Sequence, residues 1–393
     1  MSMMSITVKR RRFTMLAAVV AILVAANSTP PTTAKQSPRA ASEGALYRGD
    51  AQRTGAYNQP AIRQNPRLRW SVPIPSIVHE SPVFADGVLY FGGADSKIHA
   101  YDASTGAQLW ASKSKPSSSV FSPVAVADGV VYVGIEGNRL WALDASTGDR
   151  LWKFKAKGVV WTAPLIVNGT IYFGNAEGTF YALDIPTVEQ RWKINTGHRS
   201  LWPAAYDNGT IFLAAENVLY ALNSETGQEK WKVEKASAEW WNAPAVSGGL
   251  VFAGCGDGRF YAIDGLTGTI VWSARGDSDA WSGAAVAGGA VYAGNKDEFF
   301  YAFNAETGAL LWRFKAEDAA LADPIVSDGV VYFGVGNHEF PAREGPRHLY
   351  ALDAATGQQL WSYQADGRLL AGVAAGGGAV YFGSFTGTLY AIE

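Results

Sequence analysis

The sequence predicts an all-β protein: an eight-bladed β-propeller of four-stranded antiparallel blades, closed by an N-terminal strand in the last blade. Three observations carry this. Glycines closing a short turn recur at Gly87, Gly129, Gly169, Gly209, Gly249, Gly289, Gly329 and Gly378, at a spacing close to one blade length. Each turn is Asp-Gly, Asn-Gly or Gly-Gly and leads into an alternating apolar strand such as Val130-Val131-Tyr132-Val133-Gly134. Such dipeptides supply the positive φ of tight hairpins. A tryptophan then recurs once per unit, at Trp70, Trp110, Trp152, Trp192, Trp231, Trp272, Trp312 and Trp361.

Four short strands fit in one unit. The Gly turn joins the first strand to the second. A second turn, for example Asn175-Ala176-Glu177-Gly178, leads to a third strand of the type Phe180-Tyr181-Ala182-Leu183-Asp184. A third turn, Ser146-Thr147-Gly148 in one copy, feeds a fourth strand carrying Trp152. A single such sheet cannot bury both faces alone and must stack on neighbours. Trp70 precedes the first Gly turn, and the last copy stops after its third strand at Leu389-Tyr390-Ala391-Ile392-Glu393. Leu68-Arg69-Trp70 is therefore expected to supply the missing outer strand, leaving no open sheet edge between the first and last blades.

Composition narrows the rest. The chain has 393 residues and a formal net charge of −2, and its Lys and Arg cluster only at the N-terminus, so no nucleic-acid partner is expected. With one cysteine, Cys255, no intrachain disulfide, haem-attachment motif or Cys-based metal spacing is possible. Lys9 to Arg12 precede an apolar run from Met15 to Ala26, which reads as a signal peptide over residues 1–26, too short to span a bilayer. Arg10-Arg11-Arg12-Phe13 also resembles a twin-arginine signal. No Cys follows the run, so the expectation is export to the periplasm or medium, not as a lipoprotein, with no transmembrane segment in the mature chain. Residues 27–44, mostly Ser, Thr, Pro, Ala and Lys, read as a disordered linker, and residues 45–393 as the propeller. A monomer is expected. The sequons Asn168-Gly169-Thr170 and Asn208-Gly209-Thr210 are explained as hairpin turns.

A family resemblance rests on the third turn. Ala142-Leu143-Asp144-Ala145-Ser146-Thr147-Gly148 followed by Leu151-Trp152 resembles the tryptophan-docking motif of the PQQ-like (quinoprotein-like) repeat family, and it recurs from Ala221, Ala262, Ala302 and Ala351. The third copy carries Thr187-Val188 in place of Thr-Gly, and its turn is expected to differ. In these motifs the Asp or Asn and the Thr hydroxyl satisfy turn backbone groups, Gly takes the positive φ, and each indole adds apolar area between blades. The resemblance extends to quinoprotein dehydrogenases, which implies PQQ in the tunnel, a Ca²⁺ ion and a catalytic Asp. It extends equally to the propeller scaffold of the bacterial outer-membrane barrel-assembly machinery, which implies a protein partner and no cofactor.

Candidate ligand-binding residues come from counting eight residues back from each turn glycine, to the mouth where first strands enter. The count gives His79, Phe121, Trp161, Leu201, Trp241, Trp281, Leu321 and Leu370, with Trp202 adjacent. Aromatic rings around a mouth suit a planar ligand, a sugar or an extended peptide, and inter-blade packing is the structural alternative. Glu80, Asp257, Asp297 and Asp323 fall near the same mouth. Blade seven expands its second turn into a loop that contributes His338, Arg343 and His348, and such insertions often mark a binding face. Replacing Trp241 and Trp281 by alanine is expected to abolish binding with little loss of fold. No catalytic residue and no metal site can be placed from spacing. The reading is an exported binding or scaffold propeller, with no cofactor needed. A PQQ-dependent dehydrogenase and a polysaccharide-binding protein or lyase are the alternatives.

Overall fold

The computed structural model describes residues 45–75, 80–112, 122–135, 137–199, 201–236, 240–336 and 347–393. The leader, the linker, His79, Phe121, His338 and Arg343 lie outside them. The described strands form eight sheets arranged as an eight-bladed β-propeller. The third blade is representative: Leu165–Val167, Thr170–Gly174, Thr179–Asp184 and Gln190–Asn195 pair antiparallel in that order. The first strand lines the central tunnel and the fourth forms the outer edge.

Both central residues of every first hairpin turn have positive φ, from Asp86 (48°) and Gly87 (79°) in blade one to Gly377 (56°) and Gly378 (73°) in blade eight. This conformation matches the right-handed twist of the flanking strands, so Asn-Gly, Asp-Gly and Gly-Gly fix the register. Inside each blade the middle strands are almost wholly buried. The fourth strands alternate exposed and half-buried residues, as expected for an edge facing solvent.

The eighth blade closes the ring with chain from both ends. Leu68–Pro73 pairs antiparallel with Thr388–Ile392, setting Trp70 opposite Ala391 and Pro73 opposite Thr388. The Arg67 and Glu393 backbones exchange hydrogen bonds of 2.8 and 2.9 Å. The Arg69 guanidinium adds a 2.8 Å ion pair to Glu393.

The recurring indoles join neighbouring blades. Nε1–H of Trp110 donates to the Ala145 carbonyl at 2.9 Å, and those of Trp70, Trp192, Trp231, Trp272 and Trp312 make the same bond at 2.8 to 3.0 Å. Trp361 reaches Ile62 at 2.6 Å, because the last blade has no third turn and the N-terminal segment stands in for it. Each bond contributes about 1 kcal/mol beyond the indole's packing.

Trp152 is the exception, and its neighbour explains it. The third-copy turn does not differ in backbone: Val188 takes φ 59° and donates to Asp184 O at 2.8 Å, as Gly148 (φ 73°) does to Asp144. The Asp184 and Thr187 side chains hold the turn as their counterparts do elsewhere, so local capping overrides the residue's preference. The glycine's missing Cβ is what the indole needs, since a Cβ on Gly148 would lie 2.5 Å from the Trp110 ring. Among the described residues the Trp152 N–H makes no hydrogen bond. Val188→Gly is expected to stabilise the protein by about 1 kcal/mol, relieving a β-branched residue from left-handed backbone and letting Trp152 seat. Thermal melting should show a rise of a few degrees.

The tunnel is not open. Residues 45–57 run inside it and bond blade after blade: Ala45 O accepts from Val126 N, Ala51 O from Tyr206 N, Gln52 O from Val246 N, Thr54 O from Val286 N and Gly55 O from Val326 N, at 2.7 to 2.9 Å. Ala56–Tyr57 then pairs parallel with Ile325–Ser327 of blade seven. Arg53 locks this plug. It is fully buried, and its guanidinium donates to the carbonyls of Tyr47 (2.6 Å), Ala204 (3.1 Å) and Pro164 (3.1 Å). Burial lowers its pKa to about 10.

Candidate functional site at the top mouth of the tunnel

With the plug in place, the cavities left near the axis lie above it. They sit on the face that carries the turns between second and third strands. Two adjoining cavities, of about 420 and 470 Å³, share Tyr47 as floor and Glu80 and Trp202 as wall. The first is bounded further by Trp240, Trp281 and Asp323, the second by Trp161. Together they form a trough of indoles and carboxylates.

The indoles are not alike. Trp161 and Trp202 are 38% and 39% exposed and present open faces to the trough. Trp281 lines the cavity but is only 3% exposed, packed against Tyr301 at 5.3 Å and Phe260 at 5.5 Å. Trp241 does not reach the trough. It is fully buried against Tyr261 (5.2 Å), with its N–H on the Asn217 carbonyl at 3.0 Å. Both indoles are packed as core, so Trp241→Ala and Trp281→Ala are expected to cost stability, where the sequence suggested little loss of fold. Trp240 takes the wall position instead. Neighbouring residues in an extended chain point to opposite sides, so a count that misses by one exchanges a wall residue for a core residue.

Carboxylates sit at the floor. Asp323 accepts hydrogen bonds from the Tyr47 hydroxyl and from Gly283 N (2.7 Å). Burial raises the Tyr47 pKa well above that of an ordinary phenol, with Asp323 adding to it. Glu80 lines both cavities and, among the described residues, makes no hydrogen bond or ion pair. Burial, with Asp323 nearby, holds its carboxyl well above the usual carboxylate range. Arg48 lies sealed beneath, 4% exposed, with all three guanidinium nitrogens lacking a hydrogen-bond partner. A Cβ on Gly283 would come within 2.9 Å of its Nη1.

His348, Asp257 and Asp297 lie apart from the trough. His348 pairs through Nδ1 with Glu317 at 2.8 Å and lies against Tyr350 with the ring planes tilted by 45°, on the third strand of blade seven. Asp257 and Asp297 are tied to Tyr261 and Tyr301 by hydrogen bonds of 2.5 and 2.6 Å and do not line it. Leu201 lines the second cavity, and Leu321 and Leu370 the first.

The described residues do not fit a PQQ–Ca²⁺ centre. Calcium takes six to eight oxygens, usually with several ionised carboxylates. Among the described residues no group of three or more His, Cys, Asp or Glu could hold a metal. At the mouth, both Asp323 oxygens are already engaged, which leaves Glu80 as a single further carboxyl. The tunnel beneath is filled by residues 45–57.

The sequence matches the family described as outer membrane protein assembly factor BamB over residues 34–122, 94–201, 189–282 and 278–393. No curated protein sequence matches the chain. Among solved structures, BamB from Moraxella catarrhalis is 18% identical with a TM-score of 0.68, covering 84% of this chain and 100% of that one. The quinohemoprotein alcohol dehydrogenase ADHIIG from Pseudomonas putida HK5 is 16% identical with a TM-score of 0.73, covering 89% and 80%. A europium-containing methanol dehydrogenase is 15% identical with a TM-score of 0.72, covering 90% and 98%. At these identities the structural likeness speaks for the fold. Among the described residues no helix is long and apolar enough to cross a membrane.

Proposed function

Because the chain belongs to the PQQ-like propeller family described as outer membrane protein assembly factor BamB, we propose that it is an exported scaffold. In this reading it binds a protein partner of outer-membrane assembly at the trough on its top face. The observation that carries this is the filled tunnel. The protein's own segment 45–57 takes up the axial hydrogen-bonding groups, so the trough above it is a concave surface left at the axis for a ligand. A groove with half-exposed indoles is suited to polypeptide, since aromatic side chains give large contact area at low entropic cost. No step of dehydrogenase chemistry is assigned to these residues.

The test is a titration with a urea-denatured outer-membrane β-barrel protein, diluted into the mature propeller and followed by tryptophan fluorescence. Saturable binding is expected, weakened about tenfold or more in the Trp161→Ala, Trp202→Ala double variant. Leu266→Ser, in a third turn on the opposite face, should leave it unchanged. Equal binding by the double variant would overturn the site. Dye reduction dependent on added PQQ and Ca²⁺ would overturn the scaffold reading itself.

A further inference from the structure

Glu80 is the one carboxylate lining both cavities of the trough, and among the described residues nothing pairs with it. Asp323 differs, because the Tyr47 hydroxyl and Gly283 N–H hold it and the Arg48 guanidinium lies beside Gly283. Arg48 itself cannot meet a ligand, since it is sealed and does not line the cavity. With Arg48 offsetting Asp323, the trough carries the charge of Glu80 when that group ionises. Its walls are indole faces, with Trp202 beside Glu80 in both cavities and Trp161 and Trp281 on either side.

A carboxyl among tryptophan faces is complementary to an organic cation, whose charge favours the ionised form of the acid and which gains from the negative ring faces as well. A bare metal ion is poorly matched, for want of oxygens. On the scaffold reading above, we infer that the trough takes a lysine side chain of the partner polypeptide, its ammonium on Glu80 and its methylene stem along Trp202. The long apolar stem with a charged tip suits a slot whose walls are apolar and whose charge lies at the floor.

The probe is N-acetyl-lysine methylamide, compared with its neutral analogue N-acetyl-norleucine methylamide and with tetramethylammonium, by tryptophan fluorescence. The lysine derivative should bind saturably, about tenfold more tightly than the norleucine derivative, and weaken as salt rises. Glu80→Gln, which keeps the shape, should remove that preference, while Glu306→Gln on the opposite face should keep it. Circular dichroism of Glu80→Gln checks the fold, and the salt dependence in the unaltered protein stands even if that variant misfolds. Equal binding of lysine and norleucine derivatives, no binding of either, or preference for tetramethylammonium would overturn the inference. If the denatured barrel protein still binds and is lost in the Trp161, Trp202 variant, the scaffold reading survives that failure. If the lysine derivative binds and the barrel protein does not, the scaffold reading fails and the cation site stands.

Discussion

Replacing Trp241 by alanine is expected to cost about 3–5 kcal/mol, the usual range for deleting a fully buried indole. Trp202→Ala should cost less than about 1 kcal/mol. The two residues lie on neighbouring blades and look interchangeable in sequence. In the structure, Trp241 is fully buried among Leu219, Cys255, Tyr261 and Ile263, and its N–H satisfies the Asn217 carbonyl. Removal leaves both a cavity and an unpaired acceptor. Trp202 leaves 39% of its surface in solvent and loses little packing. Urea unfolding of the two variants side by side checks this, and equal midpoints would mean that the contacts of Trp241 with Tyr261 and the Asn217 carbonyl carry little stability.

The second large effect is expected at Arg53. Arg53→Met keeps much of the side-chain volume but strands the carbonyls of Tyr47, Pro164 and Ala204, which accept its guanidinium in a site closed to water. Removing a buried charged donor from its acceptors costs about 3–5 kcal/mol. The loss should be concentrated in the plug, because Arg53 ties residues 45–57 to blades three and four while the blades keep their own ladders. Denaturant midpoints should fall, and amide exchange in residues 45–57 should speed up more than in the middle strands. An unchanged midpoint would show that the backbone bonds alone hold the segment.

How much of this the sequence foretold depends on whether a feature repeats. The Gly turns, the fourth-strand indoles and the strand contributed by Leu68 to the last blade are all set by local chemistry copied around the ring, so one reading served eight times. Val188 shows the limit in one direction: a residue that breaks the pattern changed the indole it faces, Trp152, and left the turn's backbone as it was. Residues 45–57 show the limit in the other. They belong to no repeat, and five of their carbonyls bond to amides of first strands that lie far along the chain. Gly49 and Gly55, both at positive φ and bracketing Arg53, were the available hint of a tightly bent segment. At the trough, counting back from the turn reached two residues that line its cavities, Trp161 and Trp281, but parity alone could not tell Trp241 from Trp240. Glu80 gained its interest only when the fold brought it near Asp323, which lies in blade seven.

In the proposed reading the tunnel is filled from within by residues 45–57 and the top trough is the surface that takes the partner. Hydrogen exchange measured with and without the denatured β-barrel protein tests both halves in one experiment. The expected result is slow exchange of residues 45–57 in the free protein, with new protection on binding confined to the segments around Glu80, Trp161, Trp202 and Trp281. Fast exchange of 45–57 in the free protein, or protection appearing on the face of the Asp-Gly turns, would contradict it.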